Sequence, residues 1–244
     1  MRAASGETAF QVVVEQTDLW VVVRQGMAED MAQAVGDFVH SLRGPLKAHM
    51  ALHPDFASSL TPVPAAPDAP HPPPLIRAMA EAAAICGVGP MAAVAGAIAQ
   101  AVADAFADQS PDILVENGGD CFMHSTRDRV AALLSDPEAA PHSGPGLGLD
   151  LPAEGFPLAL CASSATIGHS LSLGQGELVV VKADTGALAD AAATALCNLL
   201  QSPNDLNRVT DAAASLKRFG LRGVFAQHGG KLAAWGDMEL VALE

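Results

Sequence analysis

The sequence predicts an α+β fold in which a mixed or antiparallel sheet packs with helices. Two β-rich runs near the start, Phe10–Glu15 and Leu19–Arg24, flank a short polar turn and predict a hairpin. A second hairpin is predicted near the end, where Gly223–Gln227 and Lys231–Trp235 lie on either side of Gly229-Gly230. Strands do not alternate regularly with helices between them, which disfavours a doubly wound parallel sheet.

The elements between the hairpins follow from apolar spacing and from turn residues. Helices are predicted at residues 28–42, 75–86, 90–106, 188–200 and 210–217, with a short helix or loop at 45–56. Strands are predicted at residues 113–115, 121–124, 158–161 and 177–182. Residues 136–156 are rich in proline and glycine and predict a loop.

Length and composition predict one domain over residues 1–244, with a proline-rich connector at residues 58–74. Half of the residues are hydrophobic and only 16% are charged, so the chain can bury a large core. The stretch Ala82–Ala99 has no charge, but its alanine and glycine content and Pro90 favour a buried helix over a membrane span.

The net charge is −14, and no stripe of lysine and arginine offsets it. Such a surface repels nucleic acid and anionic membranes, whereas a small nucleotide can still bind through local backbone N–H groups or a metal ion. Four cysteines without metal-site spacing, and an N-terminus without a signal pattern, predict reduced thiols and a cytoplasmic location. The sequence is compatible with a monomer or a homo-oligomer.

The first candidate ligand site is the glycine-rich turn that precedes the helix predicted to begin at Pro90. Gly89 and the free N–H groups of Met91, Ala92 and Ala93 would face a phosphate at the positive end of the helix dipole. The alternative is a close-packed core helix that follows a glycine turn. A glycine-rich turn alone does not decide between the two.

The second candidate is Glu116-Asn117-Gly118-Gly119-Asp120, which follows a short buried strand. The glycines would let a ligand approach the backbone, and the carboxylates could hold hydroxyl groups or a cation. The alternative is a tight turn that carries solvated acids.

The third candidate is the segment Cys161–Ser170, which is dense in hydroxyl groups. Ser163, Ser164, Thr166 and Ser170 suit phosphate or ribose binding. Cys161 and His169 could instead form a thiolate–imidazole pair, with Cys161 the most reactive thiol of the chain. The alternative is a polar surface loop.

The fourth candidate is a pair of oxygen ligands on one predicted helix. Asp190 and Thr194 are four residues apart and share a helix face among small apolar neighbours. A carboxylate and a hydroxyl are hard ligands that suit Mg²⁺ bound to a phosphate. The alternative makes Asp190 a cap of its own helix.

Together the segments VGPMAAVAGAIA, VENGGD, CASSATIGHSLSLG and ALADAAATALCN resemble an uncharacterised family within the ApbE superfamily, which is named for FAD:protein FMN transferases. The resemblance implies an ApbE-like fold. It also implies that Asp190 and Thr194 bind Mg²⁺, and that a backbone carbonyl near Ala92–Ala95 completes the metal site. The resemblance places Asn117, Gly118 and Gly119 in a flavin-site turn, and Ser163 and Ser164 in a second binding loop.

Three functions are therefore compared. The first is Mg²⁺-dependent FMN transfer from FAD, or cleavage of its pyrophosphate, with Asp190 anchoring the metal. The second is a non-catalytic module that binds a flavin or nucleotide. The third is a thiol-dependent sulfur-transfer protein that uses Cys161.

Overall fold

An eight-stranded sheet, antiparallel throughout, forms the centre of the fold in the computed structural model, which describes residues 3–65, 72–133, 146–165 and 176–243. A second, three-stranded antiparallel sheet lies against it. The strands are β1 (Glu7–Val14), β2 (Thr17–Arg24), β3 (Ile113–Asn117), β4 (Asp120–His124), β5 (Arg129–Leu133), β6 (Gly146–Leu151), β7 (Leu158–Ser163), β8 (Leu178–Ala183), β9 (Leu221–His228), β10 (Lys231–Gly236) and β11 (Glu239–Leu243). The large sheet has the order β1-β2-β3-β4-β7-β8-β9-β10, and the small sheet has the order β11-β6-β5.

Helices cover the face of the large sheet that lies opposite the small sheet. They are α1 (Ala28–Leu52), α2 (Pro54–Ser58), α3 (Pro74–Cys86), α4 (Val94–Phe106), α5 (Gly186–Leu199) and α6 (Leu206–Leu216). The layers are therefore helices, large sheet and small sheet. This arrangement confirms the predicted α+β class with antiparallel pairing.

Strand β8 shows how the sequence fills both sides of the large sheet. Successive strand residues point to opposite faces. Val179 and Val181 pack towards the helices, and Val180 packs towards the small sheet. Because both faces are covered, β8 is apolar at nearly every position instead of alternating. The exception is Lys182, whose buried Nζ atom lies 2.7 Å from Oδ2 of Asp237.

Helix α1 is longer than its apolar spacing predicts. The prediction ended the helix at Leu42 and placed a separate helix or loop at 45–56, but α1 continues through Pro45 to Leu52. A proline inside a helix removes one hydrogen bond and favours a break. Burial of Leu46 and His49 beyond Pro45 continues the packed face of the helix, so tertiary contacts outweigh the local preference.

The segment predicted as one helix from Pro90 is divided. Pro90–Ala93 forms a 3₁₀ turn, and the α-helix begins only at Val94. A connector segment lies across this turn, because a Cβ atom on Gly89 would lie 1.8 Å from the carbonyl oxygen of Ser59. The described part of the connector therefore packs along the turn that the sequence presented as an open phosphate site.

The small sheet is the main architectural feature that the sequence prediction lacked. Part of the predicted loop 136–156 is strand β6, and neither β5 nor β11 was predicted. The glycines and prolines around β6 resemble those of a loop, yet Leu149 and Leu151 are buried against the large sheet. Residues 136–145 of that predicted loop lie outside the described residues.

No single helix in the described part of the chain is both long and apolar enough to cross a membrane. Helix α3 and the segment Pro90–Phe106 pass that test only as a pair, and they are bent by 106° at the break between them. All four cysteines are free thiols.

Candidate active site

The β3–β4 hairpin delivers two polar side chains to the helix-covered face of the large sheet. Gly118 and Gly119 form its turn with φ values of 66° and 101°, a region that favours glycine. Asn117 and Asp120 are paired across the turn, and both are buried. Glu116 is one residue out of phase with Asn117, so strand alternation directs its side chain to the opposite face. The predicted turn therefore divides its acids between two sides of the sheet.

Asp120 is the most unusual acid of the hairpin. The residue is 5% exposed, and its side chain accepts hydrogen bonds from the Cys161 thiol and from the backbone N–H of Ala162. Burial, and to a lesser degree the charge of Glu116, raises the pKa of Asp120 to about 7. Its Oδ1 atom is buried without a hydrogen-bond partner, and an unsatisfied buried polar atom is uncommon in a folded protein.

Asp190 lies on helix α5 and faces the large sheet, on the side where Asp120 lies. Its own helix is preceded by Thr185 at the N-cap, so Asp190 does not cap α5. Its Oδ2 atom instead accepts the backbone N–H of Gly96 at 2.9 Å, and its carboxylate also accepts the N–H of Ala95. Asp190 thus satisfies the first turn of α4, where a carboxylate interacts favourably with the helix dipole.

Asp120 and Asp190 are close enough for each charge to disfavour the other. Burial and the Asp120 charge raise the pKa of Asp190 well above its ordinary value, although the N–H groups of α4 oppose this shift. A buried pair of carboxylates needs either a proton or a cation to offset the repulsion. The site is therefore chemically suited to a cation.

Helices α4 and α5 approach each other at two glycines beside this pair. A Cβ atom on Gly96 would lie 2.3 Å from the Gly186 carbonyl oxygen, and a Cβ atom on Gly186 would lie 2.0 Å from the Gly96 carbonyl oxygen. Only glycine at both positions permits this backbone contact. The contact brings the first turn of α4 within reach of the Asp190 side chain.

The other predicted ligands that the structure describes lie on β3, α5 and β7. The Asn117 amide donates to the Ala95 carbonyl oxygen at 3.1 Å, at the position where a metal-binding carbonyl is expected. Thr194 lies one turn beyond Asp190 on α5 and is partly exposed. Ser163 and Ser164 are buried at the end of β7, and the Ser163 hydroxyl has no hydrogen-bond partner.

Cys161, predicted as the last residue of a strand and the first of a hydroxyl-rich segment, lies inside β7, because this strand continues to Ser163. It is an interior residue of β7 with no exposed surface, and its sulfur lies 3.8 Å from the Gly186 carbonyl oxygen. Burial and the neighbouring Asp120 and Asp190 charges raise the pKa of the Cys161 thiol well above its usual value. The prediction that Cys161 is the most reactive thiol is at odds with this position.

The predicted phosphate site at the start of the Pro90 turn is also altered. Gly89 and Ala93 are buried, while Met91 and Ala92 are partly exposed. The Ala92 N–H bonds to the Gly89 carbonyl oxygen inside the turn, so this N–H is not free for a ligand. The predicted residues Thr166, His169 and Ser170 lie outside the described residues.

Gln100 on α4 was not predicted as a site residue, yet it binds the first residue of α5 where the two helices meet. Its Oε1 atom accepts the Gly186 N–H at 2.8 Å. Gln100 is a lone amide in an alanine-rich helix, which is the only local signal that it carries. It also lines a groove of about 410 Å³ between α3, α4 and the start of α5, and that groove contains neither Asp120 nor Asp190.

The layered architecture is an ApbE-like α+β fold. A point mutant of the flavin transferase ApbE from Vibrio cholerae aligns with a TM-score of 0.55 at 11% identity and covers 96% of this chain and 98% of its own. The ApbE protein of Thermotoga maritima aligns with a TM-score of 0.54 at 12% identity and covers 93% and 96%. At these identities the likeness concerns the fold.

The chain belongs to the family described as AbpE bacteria, whose model matches residues 1–218. The UPF0280 protein MK0206 of Methanopyrus kandleri is 40% identical over 192 residues, which cover 78% of this chain and 73% of that protein. The UPF0280 protein MJ1526 of Methanocaldococcus jannaschii is 35% identical over 185 residues, or 74% and 72% of the two chains. The family resemblance drawn from the four sequence segments is thereby confirmed.

Proposed function

We propose that this chain binds FAD together with Mg²⁺ beside Asp120 and Asp190, and that it transfers FMN from FAD or cleaves the FAD pyrophosphate. The observation that carries the proposal is the buried Oδ1 atom of Asp120, which has no partner and lies in the layer that holds the Asp190 carboxylate. A cation beside these two acids would offset their repulsion and supply the missing partner.

The residues present fit Mg²⁺ better than a softer metal. Asp190, Thr194 and the Ala95 carbonyl are hard oxygen ligands, and Mg²⁺ usually retains waters and binds substrate phosphates. Among the described residues, no group of three or more histidine, cysteine, aspartate or glutamate side chains could hold a metal alone. That finding suits an ion whose remaining ligands come from water and from the nucleotide.

The acidic surroundings also favour a nucleotide that arrives with its cation. Bound Mg²⁺ would supply the positive charge that offsets the pyrophosphate oxygens. The flanking polar groups, which include the Ser163 hydroxyl and the open Gly118-Gly119 turn, would contact the remainder of the ligand. The role of Asp190 is to hold the ion while the N–H groups of Ala95 and Gly96 orient its carboxylate.

The proposed reaction is a displacement at the FMN phosphorus. An oxygen of an acceptor hydroxyl, or of water, bonds to this phosphorus. The bond from phosphorus to the bridging oxygen breaks, and AMP leaves with that electron pair. The proton of the attacking group passes to solvent. A non-catalytic binding module would share the site but would not release AMP. The sulfur-transfer alternative is disfavoured by the complete burial of Cys161.

Titration calorimetry with FAD, in Mg²⁺ and in EDTA, tests the binding. We expect wild-type protein to bind FAD only with Mg²⁺, and Asp190→Asn to lose that binding, since an amide ligates Mg²⁺ poorly but can still accept the Gly96 N–H. Asp37→Asn, which removes an exposed acid from α1, is the control for net charge and should bind normally. FAD binding that is equal in EDTA, or unchanged in Asp190→Asn, would contradict the metal site.

Chromatography of FAD incubated with the protein and Mg²⁺ then separates an enzyme from a binding module. Release of AMP that Asp190→Asn abolishes supports catalysis. Intact Mg²⁺-dependent binding without AMP release, in the presence or absence of added hydroxyl acceptors, would support the non-catalytic module. A cytoplasmic location remains a proposal that cell fractionation would test.

A further inference from the structure

The contact between α4 and α5 contains two hydrogen bonds that mirror each other. The Gly96 N–H on α4 bonds to Asp190 on α5, and the Gly186 N–H on α5 bonds to Gln100 on α4. Asp190 is four residues after Gly186, and Gln100 is four residues after Gly96. Each helix therefore offers a glycine N–H and, one turn later, an oxygen that accepts the N–H of the other helix. We call this pair of bonds the reciprocal brace.

The reciprocal brace resists sliding of α5 along α4, which the glycine contact alone does not. Two glycines allow the backbones to touch, but they have no side chains to interlock, so packing there does not resist sliding of one helix along the other. The two bonds of the brace run in opposite directions between the helices. A shift of α5 along α4 would stretch at least one of them, so both bonds together fix the register.

We infer that Gln100 is a positioning residue for the Asp120–Asp190 site, because it fixes the register of α5 on α4 and so holds the Asp190 carboxylate against the first turn of α4. This inference rests in part on the proposed function, since the register of α5 on α4 affects function only if Asp120 and Asp190 bind a ligand. The Gln100 bond does not use the Asp190 carboxylate, so it is kept when Asp190 binds an ion.

Gln100 is itself held in place by a chain of polar contacts. Its Nε2 atom donates to Oδ2 of Asp104 at 3.3 Å, and Oδ1 of Asp104 lies 2.7 Å from Nε2 of His124 on β4. With Nε2 bound to Asp104, the Oε1 atom remains directed at Gly186. The chain therefore links the β4 strand, which begins with Asp120, to the first residue of the helix that carries Asp190.

Amide hydrogen exchange by NMR tests the brace without any ligand. Gln100→Met removes the acceptor at similar size, and we expect faster exchange at Gly186 and also at Gly96, whose own partner Asp190 is unchanged. The matched control is Gln33→Met, because Gln33 is exposed and its amide bonds to Asp37 four residues later on the same helix, α1. Faster exchange at Gly186 alone would overturn the positioning role, because a purely local bond predicts that result.

Ligand affinity gives the second measurement. We expect Gln100→Met to weaken Mg²⁺-dependent FAD binding about 10- to 100-fold, as supporting residues of metal sites commonly do when changed. The double variant Gln100→Glu with Asp104→Asn exchanges acid and amide and keeps an oxygen for Gly186, so it should recover most of the affinity. Affinity within threefold of wild type in Gln100→Met, with Gly96 exchange unchanged, would overturn the inference. If wild-type protein binds no FAD, the proposed function fails, and the exchange rate at Gly96 still decides the role of Gln100.

Discussion

Replacement of Gly96 by alanine tests the helix contact beneath the candidate site most directly. The added Cβ atom would lie 2.3 Å from the Gly186 carbonyl oxygen and 2.9 Å from the Asp190 Cβ atom. The first distance is about 1 Å shorter than an ordinary non-bonded contact. The obstacle is backbone rather than a flexible side chain, so α4 and α5 must move apart.

The expected loss of stability follows from two opposing effects. Overpacking of this kind costs about 1–3 kcal/mol, and the rigid backbone places Gly96→Ala towards the upper end. Alanine is favoured over glycine inside a helix by about 1 kcal/mol. We therefore expect the free energy of unfolding to fall by about 2 kcal/mol.

Gly36→Ala is the matched control, because Gly36 lies inside α1 and its added Cβ atom would meet only Val12 Cγ1 at 3.8 Å. That variant should gain about 0.5–1 kcal/mol from helix propensity and from the less flexible unfolded chain. Urea denaturation followed by circular dichroism measures both. The reasoning would be refuted if Gly96→Ala were as stable as Gly36→Ala, or if its Mg²⁺-dependent FAD binding exceeded that of wild type.

Three further predictions concern the ion network, the thiols and the connector. The Glu7 side chain has no exposed surface and pairs with Arg127 and Arg129, so Glu7→Gln should lower the free energy of unfolding at pH 7 by about 2 kcal/mol in urea denaturation. Burial raises the pKa of Glu7, but hydrogen bonds from Arg129 and the Ala4 N–H outweigh burial and lower the pKa below its value in the unfolded chain. The stabilisation is therefore present above the unfolded pKa and is lost as the pH falls through the folded pKa. Melting temperatures of Glu7→Gln should accordingly vary less with acid pH than those of wild type. Limited alkylation with mass spectrometry should label the half-buried Cys86 and Cys121 before the buried Cys161 and Cys197, and early labelling of Cys161 would show that the β7 environment is wrong. Gly89→Ala would place a Cβ atom 1.8 Å from the Ser59 carbonyl oxygen, so it should lower the melting temperature and speed proteolysis of residues 59–65; unchanged cleavage would show that the connector does not pack there.

The elements that could be predicted from sequence are those whose signal is local. Both hairpins combine alternating or β-branched runs with a marked turn, and β1–β2 and β9–β10 are found where they were expected. Helix α1 was truncated in the prediction because Pro45 is a strong local break signal. The packing of Leu46 against the core, which overrides it, is not visible in the sequence.

The small sheet could not be predicted for a related reason. Strand β6 pairs with β5 on one side and with β11 on the other, and β11 is about 90 residues further along the chain. Short strands such as Arg129–Leu133 carry little propensity of their own and depend on these distant partners. Neither the partner nor the register is encoded within the segment.

The candidate site, too, was predicted only where its signal is local. The i,i+4 spacing of Asp190 and Thr194 was readable, and so was the glycine turn before Asp120. The partners of Asp190 were not, because Gly96 and Ala95 lie on a helix more than 90 residues earlier. Spacing shows which side chains share a helix face, but it does not show which other backbone that face contacts.

The order of the strands has a consequence for how the chain reaches this structure. Strands β2 and β3 are neighbours in the sheet, although helices α1 to α4 lie between them in the sequence. Strand β11 pairs with β6 from the far end of the second half of the chain. Such distant pairings must lose loop entropy before they gain contact energy, which slows folding. Until β11 arrives, one edge of β6 lacks its partner and can pair with another chain. The refolding yield should therefore fall as the protein concentration rises, even under conditions in which the folded protein is stable.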